Sequence, residues 1–172
     1  MITGFQFKAA RVATKLNAKE IADFISLHQV TLLRFARTPN LEYLSCHTKN
    51  MLLLENFFEK QGILFPTNNC IRLKINKSIK RIDYPGLTRF QLVTARIATG
   101  LNQYELSQHI RISPGTLSLL EGLENHEFLA NRKLKISSLK IFFEHLGILF
   151  EDNFTVTLTK DPKTFFCKKQ KC

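Results

Sequence analysis

Nine residues from Phe57 to Phe65, "FFEKQGILF", return almost unchanged from Phe142 to Phe150 as "FFEHLGILF". Two Phe, a Glu and then Gly-Ile-Leu-Phe is too particular a string to arise twice by composition. The offset of 85 residues carries without a gap from residues 2–74 onto 87–159. Under it Thr3, Phe5, Gln6, Ala10, Arg11, Ala13, Thr14, Leu16, Asn17, Glu20, Ile25, Thr31 and Leu32 all meet identical residues. With roughly a third of the aligned positions identical, the chain is two copies of one structural unit. The expected organisation is a first domain over 1–75, a linker over 76–86 marked by Pro85-Gly86, a second domain over 87–160 and a basic tail over 161–172.

Each copy opens with apolar residues at helical spacing: Phe5, Ala9, Val12, Ala13 and Leu16, then Phe90, Ile97, Ala98 and Leu101. Thr3 with Gln6, and Thr88 with Gln91, fit capping boxes, in which a hydroxyl and a side-chain amide satisfy free backbone N–H groups reciprocally. Asn17 with Glu20, and Asn102 with Glu105, repeat the arrangement for a second helix. Ser113 before Pro114 then starts a third helix, running to about Gly122, three residues after the second ends near Ile110. Two short helices joined so tightly predict a helix-turn-helix. A last helix carries Leu139, Phe142, Phe143 and Leu146 and stops at Gly147, as its counterpart stops at Gly62.

Period-two alternation follows in both copies: Ile71, Leu73 and Ile75 against Arg72 and Lys74, and Phe154, Val156 and Leu158 against Thr residues. One strand per copy has no partner in its own unit. The two strands are expected to pair across a pseudo-twofold axis; the alternative is that each packs alone on its own bundle. The expected fold is mainly α: two tandem helical bundles, each followed by a short C-terminal β-strand.

Lys and Arg number 25 against 14 Asp and Glu, a formal net charge of +11, which suits a polyanionic partner. Residues 2–74 carry net +5 and residues 87–160 net +1. No apolar run approaches the ~20 residues of a membrane span, and the first residues lack a signal-peptide core, so a cytoplasmic protein without membrane partner is expected. Cys46, Cys70, Cys167 and Cys172 form no C-x-x-C pair and read as free thiols; a metal shared by Cys167 and Cys172 is the alternative to a solvated tail. The basic tail "KTFFCKKQKC" reads as a disordered end that adds charge, or as a weak interfacial anchor. His28, His47, His109, His126 and His145 show no ligand spacing, and no phosphate loop or nucleophile motif is present. Neither an enzyme nor a cofactor or metal is expected. Abundant Lys, Asn, Ile and Phe hint at an AT-rich genome, bacterial or phage.

The stretch "GLNQYELSQHIRISPGTLSLLEG", Gly100 to Gly122, resembles the lambda-repressor-like, XRE-type helix-turn-helix family. Leu101-Asn102-Gln103 with Glu105-Leu106 is similar to the family's opening of helix two. Ile112-Ser113 with Thr116-Leu117-Ser118 is similar to its turn and recognition helix. The trailing Gly-Ile-Leu-Phe and strand resemble a bacterial subgroup with a strand after the fifth helix. The resemblance implies that Gln103 contacts phosphate, that Arg96 and Glu121 form a structural salt bridge, and that Pro114, Gly115, Thr116, Ser118 and Leu119 face the DNA.

Departures from that pattern divide the copies. In copy two Pro114, Gly115 and Leu119 cannot make the bidentate hydrogen bonds that discriminate bases, and Arg111 replaces the usual turn glycine. In copy one Ala18 replaces the helix-two Gln and Ala36 replaces the Glu, whereas His28, Gln29, Thr31 and Arg34 offer donors and acceptors. The expected DNA contacts are His28, Gln29, Thr31, Arg34, Arg37, Gln103, Ser113, Thr116, Ser118, Arg132, Lys133 and Lys135, with Lys49, Lys77, Lys80 and Arg81 as further phosphate contacts or solvated cations.

The function implied is a sequence-specific double-stranded DNA-binding transcriptional regulator acting on the nucleoid. Its two fused units would form a covalent pseudo-dimer, with recognition helices about 34 Å apart in successive major-groove turns. Two such chains could pair as a homodimer. The alternative is an interaction module, holding a toxin or RNA polymerase, in which one copy no longer binds DNA.

Overall fold

A computed structural model describes residues 1–75, 86–130 and 135–162. The first half forms helices α1 (Gly4–Ala13), α2 (Ala18–Ile25), α3 (Gln29–Arg37) and α4 (Thr48–Lys60), then strands β1 (Ile63–Leu64) and β2 (Cys70–Leu73). The second forms α5 (Arg89–Thr99), α6 (Gln103–Ile110), α7 (Pro114–Gly122) and α8 (Ile136–His145), then β3 (Ile148–Asp152) and β4 (Thr155–Leu158). Among the described residues this is a mixed α/β fold of eight helices and one four-stranded antiparallel sheet, where a mainly helical one was expected.

The difference lies in the repeated Gly-Ile-Leu-Phe. Gly62 and Gly147 take positive φ, +80° and +84°, and turn the chain out of α4 and α8 directly into a first strand. Each half therefore carries a hairpin and not a single strand. A continuous apolar run such as Ile-Leu-Phe lacks the alternation that marks a half-buried strand, which is why only the second strand of each hairpin was anticipated. The strand also follows a fourth described helix, not a fifth as the family resemblance implied.

Sheet order is β1-β2-β4-β3, so the two hairpins join through their later strands. Cys70 pairs with Thr157, Ile71 with Val156 and Arg72 with Thr155. Ile71 and Val156 are counterparts under the repeat, and an antiparallel pair centred on two counterparts has a local twofold axis through it. Reciprocal bonds flank that centre: Leu73 N–H donates to Phe154 O, and Leu158 N–H to Asn69 O, both at 2.9 Å.

α1 and α5 pack against each other at the middle of a single hydrophobic core drawn from both halves. Ala9, Ala10, Ala13, Ala95 and Ala98 are buried, and side chains this small let two backbones come close. All four expected capping boxes are present, on α1, α2, α5 and α6. The box glutamines do a second job. Gln6 Nε2 donates to the carbonyls of Thr67 and Cys70 (2.6 and 2.8 Å), and Gln91 Nε2 to that of Asp152 (2.5 Å), tying each first helix to its own hairpin.

Candidate nucleic-acid interface

α2 and α3, and likewise α6 and α7, are joined by three residues. The first of these, Ser26 or Arg111, adopts the left-handed conformation (φ +53° and +55°) that stops one helix so the next can start at a steep angle. The last is a cap: His28 Nδ1 accepts from Val30 N–H (3.3 Å), and Ser113 Oγ from Thr116 N–H (3.1 Å). Leu32 and Phe35, and their counterparts Leu117 and Leu120, anchor the second helix in the core. The opposite face is exposed at matching positions: Gln29, Val30, Leu33, Arg34 and Arg37 on α3; Pro114, Gly115, Ser118, Leu119 and Gly122 on α7.

What holds α7 in place is an ion pair. Arg96 on α5 grips the Glu121 carboxylate with two nitrogens, Nε to Oε1 at 2.5 Å and Nη2 to Oε2 at 2.8 Å, with only 12% and 8% of the two side chains exposed. Arg96 Nη1 also donates to Leu101 O, and Gln103 Nε2 donates to Glu121 Oε2 (2.8 Å). Glu121 thus joins α5, α6 and α7. The first half lacks this device, since Ala18 and Ala36 stand where Gln103 and Glu121 would be, and half-buried Arg11 has no carboxylate partner among the described residues.

The expected contact residues fall as follows. His28, Gln29, Arg34 and Arg37 are exposed on or before α3, with Thr31 half-buried. Arg34 is partly committed, donating through Nη2 to Ser45 O (3.2 Å) and lying over the Phe35 ring (5.8 Å). Ser113 and Ser118 are exposed on the α7 side; Thr116 is half-buried, its hydroxyl shared with Ser113 Oγ at 2.8 Å. Gln103 is half-buried, and a phosphate contact through its amide N–H would compete with the bond to Glu121. Lys135 is exposed ahead of α8, where it lines a cavity of about 390 Å³ with His109, Arg111, Ser138 and Phe142. Arg132 and Lys133 lie outside the described residues, as do Lys77, Lys80, Arg81, Cys167 and Cys172.

Sequence reading named Lys135 as a DNA contact and Arg111 as the replacement of a turn glycine, but passed over their grouping with His109, because Lys135 stands 24 residues beyond Arg111 in the chain. It also passed over Arg89, which is buried yet donates to the carbonyls of Glu121 and Val12 (2.9 and 3.5 Å), to Ala13 O (3.3 Å) and to Asn125 Oδ1. Burial pushes its guanidinium pKa down, and neutral oxygens at the C-terminal end of α1 compensate the charge. Among the described residues no cluster of three or more His, Cys, Asp or Glu could hold a metal, and no helix is long and apolar enough to cross a membrane.

Comparison with family models, with curated proteins and with solved structures gives no match to this chain.

Proposed function

We propose that the protein binds double-stranded DNA sequence-specifically as a transcriptional regulator. It is a single-chain pseudo-dimer of two helix-turn-helix units, α3 and α7 entering successive major-groove turns. The observation that carries this reading is the twofold equivalence of α3 and α7. Both follow a three-residue turn, both bury the same positions, and both present the same five to solvent on either side of an axis between β2 and β4. Duplex DNA has local twofold symmetry, so a twofold pair of outward helices is the shape that meets it.

Charge supports the same partner. α3 carries two arginines and no acid, and the one acid of α7, Glu121, is turned inward and closed by Arg96. Nothing negative on either outward face opposes phosphate. No catalytic or cofactor role is part of this proposal, and its place of action is the nucleoid.

A second reading, protein capture by the first half, has its own observation. Phe24, Val30, Leu33, Leu41, Tyr43, Leu52 and Leu53 are all exposed in that half, against Tyr104, Leu119, Ile141 and Leu149 among the described residues of the second. A toxin or a polymerase subunit is the partner that reading takes.

Selection of duplexes from a random library near physiological salt distinguishes the two. The expected result is one enriched motif with two unlike halves, one damaged by Arg34→Ala and the other by Ser118→Ala. Weak, steeply salt-dependent binding without a motif would reject sequence-specific recognition.

A further inference from the structure

We infer that the second half reads its share of the duplex through a thymine methyl group, with Leu119 as the residue that touches it; the inference rests on the duplex-binding reading above.

The donor inventory of α7 leads there. Of its outward residues, Pro114 has no N–H, Gly115 and Gly122 have no side chain, and Ser118 offers one hydroxyl. The Thr116 hydroxyl is already bonded to Ser113. None of these can form the two-pronged hydrogen bond that tells guanine or adenine from the other bases. Leu119 stands among them 77% exposed, the most exposed large hydrophobic residue described. It borders an opening of about 310 Å³ whose rim includes Leu120, Leu123 and Phe128.

In the major groove the one apolar feature on any base edge is the C5 methyl of thymine. A leucine held toward that groove gains from covering a methyl group and loses nothing by lacking donors. The counterpart of Leu119 in the first half is Arg34, with Gln29 five residues earlier at the start of the same helix. The two halves therefore use different chemistry, hydrogen bonding in one and apolar contact in the other. The target is asymmetric, with thymine at the position under Leu119.

The test uses the duplex enriched from the library, with each thymine replaced singly by deoxyuridine, which pairs identically and lacks only the methyl. Full-length wild type, Leu119→Ser and Leu119→Met are compared; both substitutions are at a solvent-exposed position, and unchanged thermal unfolding verifies folding. One replacement is expected to weaken wild type about fourfold, the value of one buried methyl. Leu119→Met should keep that discrimination, and Leu119→Ser should bind both duplexes alike. If wild type binds every singly replaced duplex as tightly as the parent, methyl reading is overturned while duplex recognition stands. If no duplex is enriched at all, both fall together.

Discussion

Asn40 and Asn125 perform the same act in opposite directions across the molecule: Asn40 Nδ2 donates to Ala98 O (2.8 Å) and Asn125 Nδ2 to Ala13 O (2.9 Å). Donors and acceptors are both 85 residues apart, so the two bonds exchange under the local twofold. Each carbonyl lies at the C-terminal end of the other half's first helix, where orphan acceptors need a donor. The side-chain oxygens are matched too. Asn40 Oδ1 accepts from Lys8 Nζ (2.8 Å) and Asn125 Oδ1 from Arg89.

Asn40→Ala is expected to destabilise by about 1–3 kcal/mol, the cost of leaving the buried Ala98 carbonyl unmet, and Asn125→Ala by about 1 kcal/mol, because Ala13 O keeps its bond from Arg89. Chemical denaturation checks this. A larger loss in Asn125→Ala than in Asn40→Ala would show that Arg89 does not support the Ala13 carbonyl.

Cations reach those asparagines from different places on the two helices. Gly4 and Lys8 on α1 correspond to Arg89 and Val93 on α5, one turn apart on one face. Gly4 has no room to change, since a Cβ there would collide with the carbonyl oxygens of Thr38 and Pro39. Gly4→Ala should cost about 1–3 kcal/mol by overpacking. Arg89→Met, which leaves the Glu121 carbonyl without its donor while Val12 O keeps Lys15 N–H and Ala13 O keeps Asn125 Nδ2, should cost about 1–3 kcal/mol. Denaturation midpoints read both.

Removing Glu121 leaves Arg96 nearly buried without its counter-charge. Glu121→Ala is expected to destabilise by about 3–5 kcal/mol and to weaken duplex binding through a loosened α7. The reciprocal experiment is Ala36→Glu, which offers Arg11 the partner the second half has. It should raise the melting temperature, and combining it with Arg11→Ala should abolish the gain.

Arg111 pays for its left-handed backbone. Arg111→Gly should stabilise by about 1 kcal/mol, because glycine adopts that conformation without a Cβ penalty. On the duplex-binding reading the same substitution removes a cation beside Lys135. Affinity should then fall while the slope of log affinity against log salt decreases by about one. A variant that gains stability and loses nothing in binding would exclude Arg111 from phosphate contact.

Thr94 is fully buried, and its hydroxyl has no hydrogen-bond partner among the described residues. Its counterpart is Ala9, which has no such group to satisfy. Thr94→Val keeps the shape and removes the unmet hydroxyl, so about 1 kcal/mol of added stability is expected in thermal unfolding.

Local signals were the ones legible before the fold was seen. Thr3 with Gln6 and Asn102 with Glu105 announce helix starts because both partners lie within one turn. The alternation around Ile71 and Val156 announces strands because half of each side is buried. Arg89 and the two asparagines were invisible for the opposite reason: their partners lie 32 to 121 residues away, and nothing near them in the chain marks the contact. Gly-Ile-Leu-Phe misled through its strength, since a solid apolar run looks alike at a helix end and at a buried strand. Gln103 shows the limit of reasoning from resemblance, which could not see its amide bonded to Glu121.

The junction of β2 with β4 has a consequence for how the two halves stay together. In a dimer of separate chains that strand pair would form by collision, and diluting the protein would take it apart. Here both strands belong to one polypeptide, so closing the sheet is a first-order event with no concentration midpoint. A few molecules in a cell would hold the same paired state as a concentrated solution.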